Sequence, residues 1–410
     1  MTTPTALYFD NNATTKLAQE ARAAIEPFLA ELVGNPSSSH SAGGKIQHAV
    51  EKAREQVALM LGCETSEVIF NSGGTEGLNT AIQCALEALP TRKQIIISKV
   101  EHSAVSNTVR ALAKKGYRIT EIGVDRFGRL DLAALGRETG PETALIATLW
   151  ANNETGVIAP INEIGDLAKR AGAMFVVDAV QCPGKLKLSM KQSAAIDYLA
   201  ISGHKFHALA GTGALFVRKG AFYKPLIMGG PQERSRRAGT ENVAGIVSLG
   251  AAAQLVNEHL EADIKREAAL RDSLQAALLS RLENVIVNGD TDSRVPNTLN
   301  VGFEYVEGEA VLLMLDAAGV AASSGSACES GSLETSHVLR AMDVPFTAIH
   351  GSLRFSLSRY TTQADVDQLV ERCVKIVKRL REISPFGRKE PAQAAAPADL
   401  AGHKAYFTSR

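Results

Sequence analysis

Six short apolar runs separated by helix-length stretches constrain this chain more than any other feature of its sequence. They are VIF (68–70), IIIS (95–98), ALIATLW (144–150), MFVVDA (174–179), YLAIS (198–202) and ALFV (214–217). Most lack polar alternation, the pattern of strands covered on both faces. Before the first of them, Ile46, Val50, Ala53, Val57 and Leu61 recur at intervals of four, three, four and four, which makes one apolar helical stripe. Stretches 103–115 and 161–172 read similarly. Strand–helix alternation of this kind predicts an α/β fold, with a mainly parallel sheet carrying helices on both faces.

The pattern changes after about residue 240. Residues 243–282 are rich in Ala, Leu, Glu and Arg and predict one or two long helices. Short strands VIVNG (285–289), TLNVGF (298–303) and LRFSLS (353–358) follow, with helices at 308–318 and 363–382. A chain of 410 residues is too long for one simple core. The expected division is a large domain at 15–260, a smaller α/β domain made of 1–14 plus 261–383, and an Ala- and Pro-rich tail at 384–410 expected to be poorly ordered.

Composition removes several function classes. Lys plus Arg and Asp plus Glu number 44 each, so the formal charge is zero and nothing draws the chain to nucleic acid or a membrane surface. No apolar run approaches the ~18 residues of a membrane helix. The start, MTTPTALYFDNNATT, has no basic segment followed by an apolar one, so a cytoplasmic location is expected. Five cysteines, an odd number with no CxxC pair, argue against a disulfide framework and a zinc site, and no metal is expected. Cys328 stands apart from the others. It lies in SSGSACESGS (323–332), with almost nothing apolar beside it to pack against.

In open α/β sheets, ligands bind beyond the carboxyl ends of the strands. After VIF comes NSGGTEG (71–77), where Gly73, Gly74 and Thr75 would present backbone N–H groups and a hydroxyl to an anion. MFVVDAVQ ends its strand on Asp178, with Gln181 three residues on, and YLAISGHKF ends on Ser202, His204 and Lys205. Singly, the first two read equally well as a glycine turn and a helix cap, and the lysine reads more readily as a snorkelling surface residue. Together they are the parts of a pyridoxal phosphate site: a phosphate cradle, a carboxylate for the ring nitrogen and a lysine for the aldehyde.

Ten segments in order carry a resemblance. They are YFDNNATT (8–15), GNPSSSH (34–40), SGGTE (72–76), EHSAV (101–105), WANNETG (150–156), DAVQ (178–181), SGHK (202–205), RRAGTEN (236–242), SSGSAC (323–328) and RFSLSRYTT (354–362). The set resembles the class V aminotransferase family of fold-type I pyridoxal-phosphate enzymes, more closely the cysteine desulfurases, and most closely their nitrogen-fixation type. The resemblance spans roughly residues 6 to 382.

The resemblance implies a role for each matching residue. Lys205 would be the Schiff-base lysine. Asp178 would pair with the pyridine nitrogen, and Gln181 would bond the phenolic oxygen. His102 would stack on the ring and assist proton transfer. Gly74, Thr75, Ser202 and His204 would bind the phosphate, and Thr240 would reach the phosphate of a second subunit in a homodimer. Asn153 and Arg354 would hold the substrate carboxylate. Cys328 would take sulfur from L-cysteine as a persulfide, leaving L-alanine, and pass it to an iron–sulfur scaffold protein. Transient cluster binding through Cys328 is also among the implied partnerships. The Ser- and Gly-rich surroundings of Cys328 would let its thiol travel between cofactor and acceptor. A housekeeping desulfurase, or another pyridoxal-phosphate lyase or aminotransferase such as a selenocysteine lyase, are the alternatives. A non-enzymatic sulfur carrier that kept the fold is opposed by the joint presence of Lys205, Asp178 and Cys328. One departure concerns FHALAG (206–211), where relatives carry proline and lysine at the positions of Leu209 and Ala210. Without that proline, a less constrained turn after Lys205 is expected.

Overall fold

The structure is a computed structural model and describes residues 7–324 and 335–384. Its main sheet has seven strands in the order Val68–Asn71, Gly213–Val217, Tyr198–Ser202, Met174–Asp178, Thr143–Leu149, Gln94–Ser98 and Arg118–Ile122. From Tyr198–Ser202 outward to Arg118–Ile122, every neighbouring pair is parallel. Gly213–Val217 runs antiparallel to both of its neighbours. The reason lies in the connection: only residues 203–212 join it to Tyr198–Ser202, fewer than the dozen or so that a parallel crossover needs. That short connection holds Lys205.

Alternating side chains serve two cores, as the pleat requires. Phe175, Val177, Leu199 and Ile201 pack with the helices Ser41–Leu61, Leu132–Glu138 and Ile161–Ala171. Val176, Tyr198 and Ala200 pack on the opposite face with Gly74–Ala88 and Ser103–Ala113. The edge strand Arg118–Ile122, RITEI, escaped sequence reading because its side chains are mostly polar and only Ile122 is buried.

A second, four-stranded antiparallel sheet has the order Ser323–Ser324, Ser352–Ser356, Thr298–Phe303 and Val285–Asn288. Gln363–Ile383 turns its apolar stripe, Val366, Leu369, Val370, Val374 and Val377, into the same core as the inner side chains of this sheet. The stretch 243–282 forms one helix, Val243–Arg281, of 39 residues. At 1.5 Å per residue it is roughly 58 Å long. Its first half packs into the main core through Ile246, Leu249 and Val256, and its second half into the smaller one through Leu270, Leu274 and Leu278. The N-terminal segment also binds the two parts together. Leu7–Tyr8 pairs in parallel with Val320–Ala321, and Asp10 bridges to Ser356. Residues 11–15 then run to the carboxyl edge of the main sheet, where Thr15 N–H donates to the His204 carbonyl at 2.8 Å.

Candidate active site

The carboxyl ends of the parallel strands open into one cavity of about 370 Å³, a size ordinary for small-molecule sites. Ten of the twelve residues expected from sequence line it: Gly74, Thr75, His102, Asn153, Asp178, Gln181, Ser202, His204, Lys205 and Arg354. Thr240 is exposed and lies off this cavity. Cys328 lies outside the described residues.

Asp178 ends a strand whose neighbours are all buried, so its carboxylate is buried too, and Oδ1 accepts from Val180 N–H at 2.9 Å. Burial raises its pKa, while the Val180 N–H and the charges of His102 and Lys205 oppose the rise. A buried carboxylate at a cavity wall is costly unless a cation or donor meets it. Lys205 closes the short turn Gly203–Lys205, and Nζ donates to the carbonyls of Asn12 and Ala13, both at 2.7 Å. His102 caps the helix Ser103–Ala113: its Nδ1 accepts from Ala104 N–H at 3.1 Å, which fixes the ring at the helix entrance.

The turn before Gly74–Ala88 is shaped for an anion. Gly73 sits at φ 144°, a backbone conformation that side-chain-bearing residues rarely adopt. A Cβ on Gly74 would stand 2.5 Å from Val180 Cγ2. The helix N-terminus therefore reaches the cavity bare, with first-turn N–H groups that have no partner within the helix. Glu76 braces the turn by accepting from Ser72 N–H at 2.9 Å and pairing with Arg237 at 3.0 Å. Ser202 and His204 flank it. Burial pulls the His204 imidazole down to about 4, so it stands neutral, with Nδ1 3.2 Å from Thr14 Oγ1.

The turn after Lys205 corrects one expectation. Its amides are tied in succession: Phe206 N–H and Ala208 N–H to the Gly203 carbonyl, both at 3.0 Å, His207 N–H to Thr15 Oγ1 at 2.7 Å, and Leu209 N–H to Ser248 Oγ at 2.8 Å. A proline at 209 would have no N–H for Ser248. Hydrogen bonding here supplies the constraint that a proline ring would otherwise give.

Four residues not singled out from the sequence complete the site. Asn12 is a hub. Besides Lys205, its carbonyl accepts from Gln181 Nε2 at 3.0 Å, and its Nδ2 donates to the Asn153 carbonyl at 3.1 Å. Asp10 holds Arg354, whose Nη2 is 2.7 Å from Oδ1, while Nη1 donates to the Asn153 carbonyl at 3.0 Å. The guanidinium is buried, and its Nε has no hydrogen-bond partner among the described residues. Lys185 donates to Gln181 Oε1 at 2.5 Å and to Asn12 Oδ1 at 3.2 Å. Glu101, next to His102 in the chain, is buried, with Oε1 accepting from Ser98 Oγ and, at 3.1 Å, from Leu149 N–H. Burial pushes Glu101 up to about 8. The signals for Asn12, Asp10 and Glu101 were the quoted segments YFDNNATT and EHSAV, which named positions without assigning work to them. Nothing in the sequence marked Lys185.

These donors fit a flat, phosphorylated pyridine aldehyde, with a carboxylate for its ring nitrogen, a lysine for its aldehyde, and a bare helix N-terminus for its phosphate. The aminotransferase class-V family model matches residues 7–369. The chain belongs to the class V aminotransferase family. It is 55% identical over 384 residues to "Cysteine desulfurase 2" of Trichormus variabilis, covering 94% of this chain and 96% of that one. It is 48% identical to "Cysteine desulfurase NifS" of Azotobacter vinelandii, covering 95% and 98%. Among solved structures it resembles a "NifS-like protein" with a TM-score of 0.86 and 34% identity, over 92% of this chain and all of that one. Within the class V family, the enzyme is a pyridoxal-phosphate-dependent cysteine desulfurase.

The four described cysteines are free thiols, three of them buried. Burial pushes Cys63 and Cys373 up to about 12 and raises Cys84 and Cys182. None of these has the depressed pKa that makes a ready nucleophile.

Proposed function

We propose that this enzyme converts L-cysteine to L-alanine and holds the released sulfur as a persulfide on Cys328. We further propose that a homodimer passes that sulfur to an iron–sulfur scaffold protein for nitrogenase maturation. One observation carries the reading: Asp178, Lys205, His102 and the bare N-terminus of Gly74–Ala88 face a single cavity that also holds Arg354. The similarity to NifS supports the nitrogenase assignment.

When bound, pyridoxal phosphate supplies a cationic ring that takes up electrons from the substrate's α-carbon. In this proposal, the residues around it divide the rest of the work. Asp178 keeps the ring nitrogen protonated, because a buried carboxylate is stabilised by a cation at hydrogen-bond distance. Gly74, Thr75, Ser202 and neutral His204 hold the phosphate without adding positive charge of their own. Arg354 and Asn153 orient the substrate carboxylate, a task suited to a planar guanidinium already fixed by Asp10. Lys205 takes the α-proton of cysteine. The Cys328 thiolate attacks the substrate sulfur, the Cβ–Sγ bond breaks with its electron pair left on carbon, and a proton delivered to Cβ, with return of the α-proton from Lys205 to Cα, completes alanine. Thr240, exposed on this chain, reaches the phosphate in the partner's site. The domain division at 15–260 and 1–14 plus 261–383 puts the cofactor-binding turns in the first part and Arg354 and Cys328 in the second.

Incubation with L-cysteine should give alanine and, with a thiol reductant, sulfide in equal amounts. Cys328→Ala should stay folded and bind cysteine yet release almost no alanine. Alkylation of cysteine-treated enzyme should place one extra sulfur on the Cys328 peptide. A persulfide elsewhere, or normal turnover in Cys328→Ala, would overturn the assignment. Preference for selenocysteine over cysteine by a large factor in kcat/KM would favour the lyase alternative.

A further inference from the structure

Behind the cavity, the Gln181 amide is held at both ends. Its Oε1 faces the Lys185 ammonium at 2.5 Å, and its Nε2 faces the Asn12 carbonyl at 3.0 Å. Turning the amide over would set an NH2 against an ammonium and a carbonyl against a carbonyl. Both ends therefore force the same orientation, and one N–H is left for the cavity that Gln181 lines. We propose that Lys185 is a positioning residue: by clamping Gln181 Oε1 it ensures that an N–H, and never the carbonyl, faces the phenolic oxygen of the cofactor.

The proposal rests on the reading of Gln181 as the contact to that oxygen. A buried lysine is expensive to keep. Lys185 is buried, and burial, with the charge of Lys205 adding to it, pulls its ammonium down to about 7. The other charged or titratable groups around it are Glu267 from the long helix, Arg354, Cys182 and His207. Glu267 shares a water-sized cavity of about 30 Å³ with Lys185 and favours its charged form. Among the described residues, the Lys185 ammonium donates to Gln181 and Asn12 and not to the Glu267 carboxylate. The clamp acts on the cofactor electronically. A donor at the phenolic oxygen stabilises its negative charge once the proton on the adjacent lysine-bound nitrogen has left. Losing the donor raises the pH at which that proton leaves.

The test uses the holoenzyme with Lys185→Met and Gln181→Met, singly and together. The readouts are the pH midpoint of the bound cofactor's visible absorption and the cofactor's dissociation constant. In Lys185→Met the midpoint should rise by about half a unit or more, a shift well within what one lost contact produces. The dissociation constant should rise about threefold or more, the same free energy expressed as affinity. In the Gln181→Met background, replacing Lys185 should move the midpoint by less than about 0.2 units, because a residue acting through Gln181 has nothing left to act on. Lys185→Ala carries the same expectations should Lys185→Met fail to fold. An unchanged midpoint in the Lys185 variants, or an equal shift in both backgrounds, overturns the proposal. A shift in Gln181→Met without one in Lys185→Met sinks this proposal alone, whereas no shift in Gln181→Met sinks the parent reading of Gln181 as well.

Discussion

Glu233→Ala should cost this enzyme about 3 kcal/mol, although Glu233 lies in the short helical turn Gln232–Ser235 and faces no substrate. Its carboxylate receives Arg54 on both oxygens, at 2.7 and 2.8 Å, and Oε2 also accepts from Phe70 N–H at 2.8 Å. The Arg54 and Glu233 side chains are 3% and 4% exposed. Removing Glu233 leaves the buried Arg54 with the half-exposed Glu51, 3.2 Å from its Nε, as its remaining ion partner, and loss of one member of a buried pair costs about 3–5 kcal/mol. The orphaned Phe70 N–H adds about 1–3 kcal/mol. Part of this returns once the turn, freed from its anchor to Arg54 and Phe70, leaves the left-handed region. Glu233, Arg234 and Ser235 sit at φ 47°, 60° and 61°, and left-handed backbone costs about 1 kcal/mol or more per residue. The net loss is read by urea denaturation through Trp150, the chain's single tryptophan, which packs against the main core. Arg54→Met combined with Glu233→Gln should recover at least half of the loss, since no buried charge then remains. The turn also leads to Arg237, which braces the phosphate turn through Glu76, so Glu233→Ala should release cofactor more readily. A loss below about 1 kcal/mol, or a double variant no better than Glu233→Ala, would refute the account.

Lys205→Ala should retain no cofactor fixed to the protein by borohydride and should lose activity; a cofactor still fixed to another lysine would displace Lys205 from its assignment. Asp178→Ala should lower kcat by at least about a hundredfold and weaken cofactor binding, and near-normal turnover would remove the case for a protonated ring. Glu101→Gln tests the buried acid that precedes His102. A folded pKa of about 8 lies above the unfolded value of roughly 4.3, so wild-type stability falls as pH rises from 5 to 8. The glutamine variant should lack that decline by at least about 1 kcal/mol, and parallel stability–pH curves for the two proteins would contradict it.

The buried strand runs were legible because both faces of a covered strand must be apolar, and that requirement is local. The same holds for the stripe of Gln363–Ile383 and for Asp178, Ser202 and Lys205, each placed at a strand's carboxyl end by chain order alone. The edge strand Arg118–Ile122 was not legible, since solvent on one side lets RITEI carry polar residues. Likewise, nothing local said that 243–282 would be a single helix. Its two apolar faces serve different cores, and only packing decides that both halves stay on one axis. The order of ten motifs identified the family, but the contacts that tune the site come from long-range closure. Asn12 meets Lys205 across 193 residues of chain, and Asp10 meets Arg354 across 344. No periodicity encodes such pairs. They exist because the N-terminal segment crosses from the small sheet to the carboxyl edge of the large one. Lys185 shows the limit most clearly: in sequence it is an ordinary lysine after a Pro–Gly turn, and only the fold buries its ammonium against Gln181.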